Sequence, residues 1–111
     1  MQEPIRAIAE PRRREILRLV WTSELAVGEI ASHFEITRPA ISQHLRVLKE
    51  AGLVSERRDG TRRLYRARPE NLVQLRAYLE AYWDENLRSL KQAAEQEEQR
   101  RGRRERRHEG N

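Results

Sequence analysis

At Gly52 the spacing of the apolar residues changes, and that change limits what this chain can fold into. Before it, Ile41, Leu45 and Leu48 fall at i, i+4 and i+7, one buried stripe along a helix. After it, residues 53–58 and 62–67 are short segments around Asp59-Gly60, a dipeptide that favours a tight turn between extended strands. Thr37 offers a hydroxyl as N-cap of the helix and Pro39 falls in its first turn, where proline is tolerated. Gly52 reads as the residue just past the helix end.

The flanking segments are helical by the same test. Pro11 suits a first helical position, and Ile16, Leu17, Leu19 and Val20 follow at helical spacing, with Arg12, Arg13, Arg14 and Arg18 on other faces. Ile5 to Ala9 is a brief helix with Ile5 and Ile8 on one side. Residues 25–34 read as one short helix on Val27, Ile30 and Phe34, broken near Glu35-Ile36. Trp21 reads as core. Pro69-Glu70 opens a long helix with a stripe of Leu72, Leu75, Leu79 and Tyr82, then Asn86 or Leu87, and Leu90. Run to Glu98, it is roughly 45 Å long. From Gln92 on, no apolar residue is larger than alanine. A fraying helix and then disorder are expected there, giving a domain over residues 1–91 and a charged tail over 92–111.

Composition sets the class. With 111 residues there is room for one domain, and 37% hydrophobic against 37% charged residues leaves a small core that a partner must supplement. The chain has no cysteine, which excludes disulfides, thiolate metal sites, iron–sulfur clusters and a cysteine nucleophile. No apolar run reaches the roughly 20 residues of a membrane span, and the N-terminus is too polar for a signal peptide. A cytoplasmic protein without membrane partner is expected. The net charge of +5 is uneven. Residues 53–68 hold six arginines against Glu56 and Asp59, residues 69–98 are net acidic, and residues 99–111 hold six more arginines. Two basic blocks point to a polyanion, nucleic acid first; a solvated, salt-bridged surface is the plain alternative. The arginine-rich tail fits phosphate contact or mere solubility.

Two helices joined by a tight turn, the second with a polar outer face, make a helix-turn-helix. A basic hairpin directly after it makes a wing. The expected fold is mainly α with a β-hairpin wing, a winged helix-turn-helix that dimerises through its N-terminal and long C-terminal helices. The major groove of DNA admits one helix, so Arg38, Ser42, Gln43 and Arg46 are candidates for the groove, with Arg pairing to guanine and Gln to adenine. On the wing, Arg57, Arg58, Arg62 and Arg63 alternate, so only some face DNA at once. Arg58 and Arg62, next to the turn, are the first choices, with Arg63 beside them. Tyr65 packs under the wing. His44 has a packing or phosphate-bonding role, and His33 lies at or near the surface. Ile5, Ile8, Leu72, Leu75, Leu79, Tyr82 and Trp83 are the candidate dimer interface; Tyr78, Tyr82 and Trp83 also suit an effector pocket. No nucleophile with its base, paired-carboxylate site, glycine-rich phosphate loop or metal cage is legible, so no enzyme and no cofactor are expected. The rival to a DNA-binding regulator is a winged-helix module for acidic protein or RNA.

These residues also resemble a family. Residues 11–17, Pro-Arg-Arg-Arg-Glu-Ile-Leu, are similar to the Pro-x-Arg-Arg-x-Ile-Leu of ArsR-type winged-helix repressors. Residues 24–30 fit its next block, and residues 37–54 fit its recognition helix and exit. The resemblance implies a dimeric transcription factor on an inverted-repeat operator, and supports Arg38, Ser42 and Gln43 as base contacts. Pro39 stands where other members carry a small polar contact, which alters readout there. Metal-sensing members use cysteines at the positions of Ala26 and Gly28, or histidines on the last helix, and residues 69–98 have none. The resemblance is therefore to the branch without a metal site, and it names no effector.

Overall fold

The computed structural model describes residues 1–109, with side chains to Arg104. Gly110 and Asn111, and the side chains of Arg106, Arg107 and His108, lie outside the described residues. The elements in order are α1 (Gln2–Ala9), α2 (Pro11–Leu19), β1 (Leu25–Ala26), α3 (Val27–Ala31), α4 (Arg38–Glu50), β2 (Val54–Asp59), β3 (Arg62–Ala67) and α5 (Pro69–Glu109). They divide into two compact units, residues 1–76 and the remainder of α5 from Ala77.

The first unit is a winged helix-turn-helix. Its core is Ile16, Leu17 and Val20 of the α2 region, Ile30 of α3, and Ile41, Leu45 and Leu48 of α4, closed by Leu53, Val54, Leu64 and Tyr65. The expected α4 stripe is thus the buried one. Thr37 caps α4 as expected, its Oγ1 accepting the Ala40 N–H at 3.3 Å. At the other end Gly52 takes φ +77°, while the N–H of Leu53 donates to the Leu48 carbonyl and that of Gly52 to the Lys49 carbonyl, both at 2.9 Å. That pair of bonds needs a left-handed residue, which glycine adopts without a Cβ clash. Asn71 Nδ2 donates to the Gly52 carbonyl at 2.6 Å and ties the start of α5 to this corner.

Two of the three consecutive arginines have a structural use. Arg13 Nε donates to the Ala7 carbonyl at 2.6 Å, and Arg14 donates to the Ile8 carbonyl at 2.8 Å. They satisfy carbonyls that the last turn of α1 leaves without helical partners. Arg13 also meets His44 Nδ1 at 3.4 Å, which gives His44 a packing role between α2 and α4.

Several expectations need correction. Residues 25–34 are not one helix. Leu25 and Ala26 pair with Tyr65 and Leu64, so the hairpin is part of a three-stranded antiparallel sheet in the order β1-β3-β2, and α3 starts only at Val27. Val27 and Ile30 lie in α3 and Phe34 falls beyond its end at Ala31; their helical spacing gave no sign of the strand before them, because two residues are too few to show a period of their own. Trp21 is 53% exposed; Val20, at the end of α2, fills the core position instead. Leu75 is 4% exposed and packs within its own chain, so it is core before it is interface. Leu72 and Leu79 are half-buried, as are Ile5 and Ile8, while Tyr82 and Trp83 are exposed. α5 itself continues through residues 91 and 92 to Glu109. Arg, Glu, Gln and Ala are strong helix formers, and Glu97 pairs with Arg100 and Arg101 at i+3 and i+4, so the helix needs no buried face to persist.

Candidate nucleic-acid interface

The polar side of α4 and the wing frame two adjoining grooves. Arg38, Pro39 and Ser42 line the first with Val27, Gly28 and Glu29 of α3 and with Thr61, Arg62 and Arg63 of the wing. Ser42, Gln43, Arg46 and Lys49 line the second with Glu56, Arg63 and Tyr65. Ser42 and Arg63 belong to both. Seven of the eight expected DNA-binding residues therefore meet in one continuous concave surface. Arg58 lines neither groove and stands alone near the wing tip.

The turn that makes the wing differs in detail from the sequence reading. Asp59 pairs with Arg62, so the loop is Gly60-Thr61, not Asp59-Gly60. Gly60 has φ +65° and Thr61 is not left-handed, the pattern of a two-residue turn with glycine first. This register puts Arg58 directly opposite Arg63. Side chains of neighbouring strand residues point to opposite faces, so Arg58 and Arg63 share the face of Glu56 and Tyr65, while Arg57 and Arg62 share the other. The two first-choice arginines, Arg58 and Arg62, thus stand on opposite faces of the ribbon.

Pairing separates these arginines further. Arg57 holds Glu24 through two hydrogen bonds of 2.6 and 3.0 Å. That bond pulls the Glu24 carboxyl below its ordinary range against a small cost of burial, and pushes the guanidinium of Arg57 up. Arg62 donates to Glu29 Oε1. Arg63 lies 3.8 Å from Glu56, which also accepts from Lys49 at 3.1 Å. Burial raises the affinity of Glu56 for a proton, but the hydrogen bonds and charges of Lys49, Tyr65 and Arg63 outweigh it and hold the carboxyl below its ordinary range. Burial together with Glu56 pushes the Tyr65 hydroxyl up. Among the described residues Arg38 and Arg58 have no ion-pair partner.

The sequence reading missed Glu29 and Gly28 as parts of this surface. Glu29 Oε1 accepts the Ala26 N–H at 3.2 Å, closing the start of α3, and accepts Arg62 as well. Gly28 borders Arg38 so closely that a Cβ there would collide with the guanidinium. The acid-arginine spacing of 33 residues has no periodic signature; only the capping position of Glu29 was open to a reader of the sequence.

No group of three or more His, Asp or Glu among the described residues is placed to hold a metal ion. Among them, too, no helix is long and apolar enough to cross a membrane.

Residues 10–56 match the family described as "Bacterial regulatory protein, arsR family". The chain is 43% identical over 91 residues to the HTH-type transcriptional regulator Rv2034 of Mycobacterium tuberculosis, covering 82% of this chain and 85% of that one. It is 43% identical over 60 residues to the transcriptional repressor SdpR of Bacillus subtilis, covering 54% of this chain and 67% of that one. Among solved structures, it is similar to a homodimeric winged helix-turn-helix DNA-binding domain of Mycobacterium bovis, a possible ArsR-family regulator. That match has a TM-score of 0.62 and 37% identity, over 76% of this chain and 78% of the other.

Proposed function

Because this chain belongs to the arsR family of bacterial regulatory proteins, we propose that it is a dimeric transcriptional repressor that binds an inverted-repeat DNA operator. The observation that carries the reading is the continuous groove surface on which Arg38, Ser42, Gln43 and Arg46 of α4 meet Arg62 and Arg63 of the wing. In this reading α4 lies in the major groove, where Arg38 and Gln43 read base edges. The wing meets flanking phosphates, and the unpartnered Arg58 supplies a full charge there. The half-buried Ile5, Ile8, Leu72 and Leu79, with the exposed Tyr82 and Trp83, bury their apolar surface against a second copy. Two copies then present two recognition helices to half-sites about 10 bp apart, centre to centre.

Selecting bound duplexes from a random pool, with the protein as sole bait, tests this directly. A recovered inverted repeat supports it; preferential capture of RNA, or no enrichment of any duplex, overturns it. On the selected site, Arg38→Ala and Gln43→Ala are expected to cost roughly 1–3 kcal/mol each and to spare random duplex, because each removes a base contact. Arg58→Ala is expected to weaken both duplexes alike and to flatten the salt dependence by about one ion. Equal losses on both duplexes for Arg38→Ala and Gln43→Ala would remove these two residues from base readout.

The same reading has operator binding independent of metal. Ala26 and Gly28 carry no side-chain donor atoms, and His33 lies in the turn after α3 while His44 lies on α4. Zinc or copper needs about four nitrogen or sulfur donors together. After chelator treatment, low-micromolar zinc, nickel, cobalt or copper should leave duplex affinity unchanged. A reversible tenfold shift would overturn this part of the reading.

A further inference from the structure

The Arg62–Glu29 pair sits inside the groove that the reading above assigns to DNA. Glu29, Arg38, Ser42, Arg62 and Arg63 all line it. A phosphate approaching Arg62 there meets a guanidinium whose charge is already matched by a carboxylate. Glu29 is also fixed in place. The oxygen that accepts Arg62 accepts the Ala26 N–H too, so the carboxylate is anchored to the start of α3 and cannot swing far aside. The two side chains remain about half exposed, 56% for Arg62 and 49% for Glu29, so incoming phosphate has access to the pair.

We infer, resting on the DNA-binding reading, that Glu29 is a built-in competitor of DNA phosphate for Arg62 and lowers the sequence-independent grip of the wing. When phosphate takes Arg62, one condensed cation leaves the DNA. The carboxylate left behind sits close to the polyanion and recruits a cation in turn. The net ion release from this contact is therefore small, although an arginine meets a phosphate. Arg58 has no such competitor, and its contact releases the full complement. Glu29 thereby moves the balance of binding from charge toward the base contacts of α4.

The test is a double-mutant cycle read by duplex affinity across a series of salt concentrations. Glu29→Gln keeps an amide oxygen to accept the Ala26 N–H and removes only the charge. It should tighten binding to selected and random duplex by about three- to tenfold at low salt, and steepen the salt dependence by about one ion. In the Arg62→Ala background that gain should vanish. Conversely, Arg62→Ala should flatten the salt dependence by less than half an ion in the wild-type protein, and by about one in Glu29→Gln.

The inference is overturned if Glu29→Gln leaves affinity and salt dependence unchanged, or if its gain survives in Arg62→Ala. Should Glu29→Gln fail to fold, the wild-type background still decides: equal flattening by Arg62→Ala and Arg58→Ala overturns the inference. A wild-type protein with no affinity for any duplex would sink this and the DNA-binding reading together. A wild type that binds while the cycle shows no coupling sinks this inference alone.

Discussion

Gly28 has no side chain, and the guanidinium of Arg38 lies where one would be. The obstacle runs only one way, since the far end of an arginine can move and the backbone of α3 cannot. Gly28→Ala is therefore expected to displace Arg38 and leave the fold intact. Alanine in a helix is worth up to about 1 kcal/mol more than glycine, so the melting temperature should hold or rise. Affinity for the selected duplex should fall toward that of Arg38→Ala, while random duplex changes little. Retained affinity in Gly28→Ala would mean that Arg38 works from another rotamer. In the sequence, Gly28 was legible only as a missing metal donor; its use as clearance for an arginine ten residues on depends on how α3 meets α4. Trp21 and Val20 show the same limit. Both are large apolar residues at the end of α2, and only the direction in which the chain leaves that helix decides which is buried.

The ends of the elements carry much of what the sequence made visible. Thr37, Pro39 and Gly52 mark the limits of α4 because capping chemistry is local, needing only residues within one turn. Thr37→Ala is expected to destabilise by about 1 kcal/mol, seen in a denaturant titration as a lower midpoint with unchanged slope. What could not be read was β1. Its two residues owe their strand geometry to Tyr65 and Leu64, some forty positions away, and no local pattern reports such a partner. A separation of 33 residues likewise hides the link of Glu24 with Arg57, and the turn at Gly52 hides that of Glu56 with Lys49, both of which brace the wing. These carboxyls are held below the ordinary glutamate value of 4.5. A group with a lowered value stabilises the folded state above its unfolded titration and loses that contribution as the pH falls through the folded one. Amide exchange in β2 and β3 should therefore quicken, relative to α4, as the pH drops below the ordinary glutamate range. Glu24→Gln should remove its share of that pH dependence. A wing whose exchange tracks α4 at every pH would contradict these assignments.

At the scale of the molecule, the proposed dimer rests on apolar residues of α5 that its own chain leaves uncovered. Tyr82 is 54% and Trp83 63% exposed, on the helix face that continues from Leu72 and Leu79. Leu79→Glu is expected to give a monomer by sedimentation and to lose operator binding with it. A wild-type protein that stays monomeric at micromolar concentration would refute the dimer. The sheet that carries the wing has a second consequence. β2 pairs on one side only, so its other side is a row of unmatched backbone donors and acceptors, a template on which a strand from another molecule can form. Glu56, Arg57, Arg58 and Asp59 crowd that margin with charged side chains, whose hydration a docking strand would have to strip. In the DNA-binding reading, the wing arginines proposed to meet phosphate have a second use, guarding this edge against strand pairing between copies. Any series that strips charge from the wing alters shelf life as well as affinity, and a lost gel shift in such a series counts as lost binding only if light scattering shows the protein is still dispersed.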